Sequence, residues 1–373
     1  MILIKGAYSE AKIFTEQLEP SADQQLRLLC NQPFTAGSKI RIMPDVHAGA
    51  GCTIGTTMTV QEQIVPNLVG VDIGCGMETV RLKQQHIELQ RLDKLIYEKI
   101  PSGFAVRQRS HAGSKQMDLH QLRCAKAAKI KMERALCSLG TLGGGNHFIE
   151  VDKDEAGSLY LVIHSGSRHL GLEVAKYYQH LAYETLRSQG NGGVNKELAW
   201  LSGTQLEDYL HDVALVQQFA ALNRQIMMQE LVRGMKLGIE EQFSTIHNYV
   251  DVKQRILRKG AISARKGETV LIPMNMRDGS LLCQGKGNDD WNQSAPHGAG
   301  RLMGRRESHN HFTVSQFQKE MAGIYSTSVR EDTLDECPMV YKPMEQIISQ
   351  IGDTVEIKAV IKPIYNFKAG GKQ

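Results

Sequence analysis

Residues 353–365, Asp-Thr-Val-Glu-Ile-Lys-Ala-Val-Ile-Lys-Pro-Ile-Tyr, alternate apolar and polar side chains at period two and predict a long β-strand with one wet face. Shorter stretches rich in β-branched residues predict strands at 39–43, 53–60, 76–82, 159–163, 269–272 and 280–284. Helical periodicity is clearest from Thr204, where Leu206, Leu210, Val213, Val216, Phe219 and Ala220 form one stripe. Thr204 with Glu207 reads as a capping box, and the pattern runs to about Phe243 with a break near Gly234. Further helices are expected at 172–187, stopping at Gly190, and at 313–321, opened by Thr313 with Gln316. Strands and helices mix without regular strand–helix–strand spacing, so the expected class is α+β.

With 41% apolar and 23% charged residues, the composition is that of a globular chain with a core of its own. No apolar run approaches the length of a membrane span. The N-terminus lacks the pattern of a secretory signal, and seven scattered cysteines suit free thiols. A cytoplasmic protein is expected. The net charge of +4 permits a polyanionic partner without requiring one. Basic clusters stand at 255–266 and 301–306.

The chemistry-bearing residues gather at strand ends and in glycine-rich turns. Asp72 and Cys75 lie three residues apart in a glycine-flanked turn, and His147, His164 and His247 each sit beside another polar residue. Carboxylate, thiolate and imidazole together suit a divalent transition metal, and a thiolate can bridge two ions. Read singly, each histidine fits a hydrogen-bonded structural role as well, and Cys75 fits a buried apolar one.

No phosphate loop ending in Gly-Lys-Ser/Thr is present, and no lysine opens a Lys-x-Asp-Gly sequence; Met276-Arg277-Asp278-Gly279 comes nearest. Covalent nucleotide transfer therefore needs another nucleophile. His297 stands between Pro296 and Gly298-Ala299-Gly300, where a phosphate can approach the backbone and Arg301 and Arg305 can meet its oxygens. A neutral imidazole attacks phosphorus at cellular pH; a turn histidine without chemistry is the other reading of this segment.

Taken together, MPDVHAGAGCTIG (43–55), GVDIGCGM (70–77), LGGGNHFIE (142–150), HSGSRHLG (164–171), IHNY (246–249), RKGA (258–261), GKGN (285–288), HGAGRLMGR (297–305) and ECPMVYK (336–342) resemble the RtcB family of RNA-splicing and RNA-repair ligases, in family order and over nearly the whole chain. The resemblance implies one catalytic domain over residues 1–373, with packed β-sheets at its centre and helices outside. It implies two manganese ions at Asp72, Cys75, His147, His164 and His247, with Cys75 bridging. It implies GTP as the nucleotide, attacked at its α-phosphorus by His297 to give a guanylylated histidine. The GMP then passes to an RNA 3′-phosphate, formed where necessary from a 2′,3′-cyclic phosphate, and a 5′-hydroxyl end displaces it. The implied nucleotide contacts are Asn146, His147, Phe148, Ile149, Glu150, His247, Asn248, Pro273, Met274, Asn275, Met276, Ser280, His297, Gly298, Ala299, Gly300, Tyr341 and Lys368. Tyr341 would stack on the guanine, and Asp45 and Arg168 would meet the RNA ends.

Two departures from the family pattern stand out. Ile272-Pro273-Met274-Asn275-Met276-Arg277 replaces the usual Ile-Pro-Gly-Ser-Met-Gly, and residues follow the expected terminal lysine, leaving Lys372 as a competitor to Lys368. The length suggests a repair-type paralogue. A cyclic phosphodiesterase that does not ligate, using the same five metal ligands without His297, and a non-catalytic RNA-binding module are the competing expectations. The RNA that is joined and any activating helper protein are not readable from the chain.

Overall fold

The 14-residue strand Val355–Lys368 seams the structure, a computed structural model that describes residues 1–190 and 193–370. Its residues up to Ile361 pair with Gly279–Gly285 on one side, and those from Lys362 pair with Phe148–Lys153 on the other, this second pairing being interrupted by a register shift between Pro363 and Tyr365. Its alternation of wet and dry positions holds through Lys362, but Tyr365–Lys368 are buried on both faces. The period-two reading is correct for the first part. It ends three residues short because the last residues enter the core and lose their wet face.

This strand belongs to a seven-stranded antiparallel sheet ordered Ile239–Ile246, Gly76–Leu82, Leu159–Ser165, Phe148–Lys153, Val355–Lys368, Gly279–Gly285, Thr269–Asn275. A second sheet of six strands runs Ile2–Lys5, Glu10–Ile13, Ile40–His47, Ile54–Thr59, Ile256–Lys259, Asn248–Asp251, with a single parallel pairing between Glu10–Ile13 and Ile40–His47. Helices surround the sheets, and the class is α+β as expected. Among the described residues no helix is long and apolar enough to cross a membrane. All seven cysteines are free and buried.

The helix Gly203–Met235 carries the predicted stripe, and all six of its residues are buried. Its start differs from the sequence reading: Ser202 is the N-cap and no side chain caps it, while Glu207 faces Arg255 instead. Its end differs too. Gly234 lies inside the helix, Lys236 caps it in the left-handed region at φ 55°, and 239–246 is a strand paired with Gly76–Leu82. Cross-strand pairing there overrides a weak helical signal. The capping box of Thr313 and Gln316 is present as read.

Asn223 and Arg224, both fully buried on this helix, tie the loops beneath it. Asn223 accepts from the amides of Gly140 and Thr141 and donates to the carbonyls of Thr141 and Gly166 and to Ser165 Oγ. Arg224 donates to the carbonyls of Gly74 and Ser165. The segments bearing Cys75, His147 and His164 thus hang from one helix by buried hydrogen bonds, the kind most costly to break.

Candidate active site

The cluster forms where the two sheets meet. His247 is the single residue between Ile239–Ile246 of one sheet and Asn248–Asp251 of the other, so its ring stands at the crossing. Asp72 and Cys75 precede Gly76–Leu82, His147 precedes Phe148–Lys153, and His164 lies near the end of Leu159–Ser165, directly opposite both Phe148 and Met77. Antiparallel pairing therefore delivers four of the five predicted ligands to one edge. The short ladder of Ala261–Ser263 with Ser294–Pro296 brings in His297.

Cys75 Sγ stands 3.4 Å from His147 Nε2 and 3.3 Å from His164 Nε2, and His164 Nε2 stands 3.4 Å from His247 Nε2. Asp72 Oδ2 is 3.0 Å from His147 Nε2. The outer nitrogens settle the tautomers of two rings: His147 Nδ1 lies 2.9 Å from the Leu142 carbonyl and His164 Nδ1 3.0 Å from the Asn146 carbonyl, so each Nδ1 donates. The Nε2 atoms of both rings then converge on a sulfur, that of His147 also facing Asp72. Electron-rich atoms this close repel one another unless a cation lies among them, and an Nδ1–H donated to a carbonyl is the usual support of a metal-bound imidazole. Ligand atoms of Cys75, His147 and His164 all fall within 4.8 Å of one another, so the donor set fits a divalent ion.

The electrostatics agree. Burial, then neighbouring imidazoles, holds His164 and His247 well below the usual imidazole range, keeping both neutral. Burial pushes Asp72 up, but the hydrogen bond and charge of His147 and the Ser167 amide outweigh it and bring Asp72 to about 2. Burial and the Asp72 charge push the Cys75 thiol well up when no cation is near. A bound ion reverses that last balance.

His297 lies beside this cluster, its ring centroid 5.0 Å from that of His247. Its Nδ1 donates to Asp45 Oδ2 at 2.6 Å, and its backbone amide donates to the same oxygen at 3.2 Å. In the neutral ring the free Nε2 is then the nitrogen that holds the lone pair. Asp45 is fully buried with its Oδ1 unpartnered, so it orients His297 and does not meet an RNA end as the sequence suggested. Arg168 is likewise engaged, donating to Gly103 O and Thr141 Oγ1.

A cavity of about 560 Å³ opens over His297, His164 and His247. Of the residues expected at a nucleotide, Asn146, Phe148, Glu150, Pro273, Met274, Asn275, Met276, Gly298, Ala299, Gly300, Tyr341 and Lys368 line it. Ile149 does not: its side chain alternates to the other face and packs in a hydrophobic cluster with Leu142 and Phe367. His147, Asn248 and Ser280 also lie outside the lining. Asn248 Oδ1 accepts from the Gly260 amide, and Ser280 Oγ is buried without a partner. Lys372 is outside the described residues.

The matched sequence model is the one described as tRNA-splicing ligase RtcB, and it covers residues 25–369. The chain belongs to the RtcB family. The RNA-splicing ligase RtcB of Escherichia coli (strain K12) is 32% identical over 97% of this chain and 98% of its own length. A second Escherichia coli relative, the RNA-splicing ligase RtcB2 of strain ATCC 25922, is 28% identical over 95% of this chain and 94% of its own. The tRNA-splicing ligase RtcB of Aeropyrum pernix is 28% identical over 86% and 85%.

Within this RtcB chain the atypical hairpin is self-supporting. Asn275 Oδ1 accepts from the amides of Arg277 and Asp278, and Arg277 pairs with Asp278 and Glu320. Sequence reading missed Glu336, which sits buried behind the cavity and takes Lys368 Nζ and Tyr341 Oη at 2.7 Å each, with Arg305 and Arg301 beside it. Arg301 and Arg305 are thus committed to carboxylates. Most of the other basic cluster is consumed as well: Arg258 and Lys259 are buried, and Arg255 and Arg265 are paired with Glu207 and Asp251, which leaves Lys266 exposed.

Glu150 and Asp152 point to the same face of their strand, both buried. Burial raises Glu150 to about 7, against the pull of Asp152, Asn366 and Lys368; burial and the Glu150 charge raise Asp152 further. Both acids hold protons more tightly folded than unfolded. Their contribution to stability is full below the ordinary carboxylate range and is lost as pH rises through about 7. Asp152→Asn removes one of these groups, so its melting temperature relative to the parent protein should improve on the order of 5 °C between pH 5.5 and pH 8. A difference that stays constant across this window, measured on metal-free protein, would show that the pair is not protonated in the fold.

Proposed function

We propose that this chain is a cytoplasmic, GTP-dependent RNA ligase that joins 3′-phosphate or 2′,3′-cyclic phosphate ends to 5′-hydroxyl ends through a guanylylated His297. The observation that supports it is the placement of an oriented, lone-pair-bearing imidazole against the cluster of Cys75, His147, His164 and His247. The names of the relatives agree with this reading.

Asp72, Cys75, His147, His164 and His247 would hold two manganese ions, which would neutralise crowded phosphate oxygens and favour in-line displacement. Manganese is chosen on family likeness, since ligand type alone does not select it. His297 Nε2 attacks the α-phosphorus of GTP, the bond to the bridging oxygen breaks, and pyrophosphate leaves with those electrons. Asp45 stabilises the positive charge that develops on the ring. A 3′-phosphate oxygen of RNA then displaces His297 from the GMP. The 5′-hydroxyl attacks the activated phosphate, loses its proton and expels GMP.

Gly298, Ala299 and Gly300 let the phosphates approach the backbone, and Asn146 and Lys368 offer donors. Glu150, when ionised, accepts from two neighbouring N–H groups, as the guanine edge presents. Incubation of the protein with GTP and manganese followed by intact-mass measurement is the test. The expected result is an added mass of one GMP, reversed by pyrophosphate; no adduct on active metal-loaded protein would favour the phosphodiesterase reading.

A further inference from the structure

Segment 104–134 holds eight lysines and arginines against two carboxylates, Asp118 and Glu133, leaving it six charges positive. The whole chain is only +4, so everything outside this segment sums to −2. Seven of these cations, all but Arg107, are exposed. Among the described residues the ion pairs of the segment are confined to His111 with Glu230 and Arg123 with Asp208. An ordinary solvated face balances its signs, and this one, with eight cations to two carboxylates, does not.

The segment is held firmly. Leu119, Leu122, Cys124, Ile130 and Ala135 sink into the main hydrophobic cluster, and buried Asp212 takes the amides of Arg123 and Cys124 at 2.8 and 2.9 Å. The cations thus project from a fixed backbone. At its beginning Phe104 is 77% exposed. The neighbouring Gly103 donates its amide to Gly143 O and accepts from Arg168, which sets Phe104 at the lip of the glycine loop leading to Asn146 and the cavity. An exposed aromatic ring beside the loop that leads to the site, followed by unpaired cations, matches what a single nucleic-acid strand requires: a face for a base and charges for its phosphates.

We propose that segment 104–134 is the RNA-docking face, with Phe104 stacking on a base near the processed end and Lys126, Lys129 and Lys131 tracking the phosphodiester backbone leading away from it. The proposal rests on the ligase reading for its choice of polyanion, but it is tested by binding alone. Binding of a 20-nucleotide RNA bearing a 3′-phosphate is measured against salt concentration for the full chain, for the Lys126→Gln/Lys129→Gln/Lys131→Gln variant and for Phe104→Ala. The triple variant should bind about tenfold or more weakly at low salt, with the slope of log affinity against log salt reduced by about 2. Phe104→Ala should weaken binding roughly tenfold with the slope unchanged. Guanylylation by GTP without RNA should be unaltered in both, which also certifies their fold. Parental RNA affinity and slope in the triple variant would overturn the proposal and leave an acidic protein as the partner of this face. Failure of the parent protein to label with GTP, alongside salt-sensitive RNA binding that the variants lose, would sink the ligase reading and leave this one standing.

Discussion

His297→Ala is expected to take up no guanylate from GTP and to lose RNA joining by on the order of 10⁴-fold or more. The substitution removes the one imidazole at the cavity whose Nε2 is free while its Nδ1 is fixed by a carboxylate. It leaves the cysteine and the three converging imidazoles in place, so metal content should be unchanged. That combination separates a nucleophile from a ligand, because loss of a ligand would lower both readouts. Asp45→Asn refines the test. An amide in place of the carboxylate no longer stabilises the imidazolium leaving group, so labelling should slow by roughly 10²-fold or more without being abolished. Adduct formation on His297→Ala at the parental rate would end the covalent scheme.

Cys75→Ala carries the second large effect. The sulfur lies within 3.4 Å of the Nε2 atoms of both His147 and His164, and as a thiolate it can bridge two ions. Its removal creates a void of one atom in a site tied by Asn223 and Arg224, so the fold should survive with a cost of about 1 kcal/mol. Manganese content, measured by elemental analysis after dialysis, should fall by one ion or more for each chain. GTP labelling should fall on the order of 10²-fold or more. Labelling and metal content both at parental values would rule out the two-ion arrangement.

The parts of this molecule legible in its sequence were those carried by strong local patterns. The stripe from Leu206 to Ala220 and the alternation after Val355 identified the central helix and the seam strand, because burial repeats at the period of the element. The strand 239–246 was misread because five of its eight residues are not apolar, and its pairing partner lies more than 150 residues away. At the site, the motifs named the cysteine and the imidazoles, yet the roles of Asp45 and Glu336 stayed hidden. Each acts by accepting hydrogen bonds from residues distant in sequence, and no local spacing announces that. Ile149 shows the converse limit: a motif residue beside site residues is carried to the opposite face by the pleat. The segment 104–134 escaped notice since its cations are spread among loops and 3₁₀ turns, with no compact run to mark them.

Asn223 and Arg224 hold three loops from one helix, and this bears on how the proposed metals would be loaded. Because these tethers join protein groups to one another, the segments do not depend on an ion to gather them, and loading should need no folding step of the kind seen in small zinc modules. Uptake should be limited by ion dehydration and entry through the cavity. The corollary is a chain that can be stripped by a chelator and recharged repeatedly, with its architecture intact at every cycle.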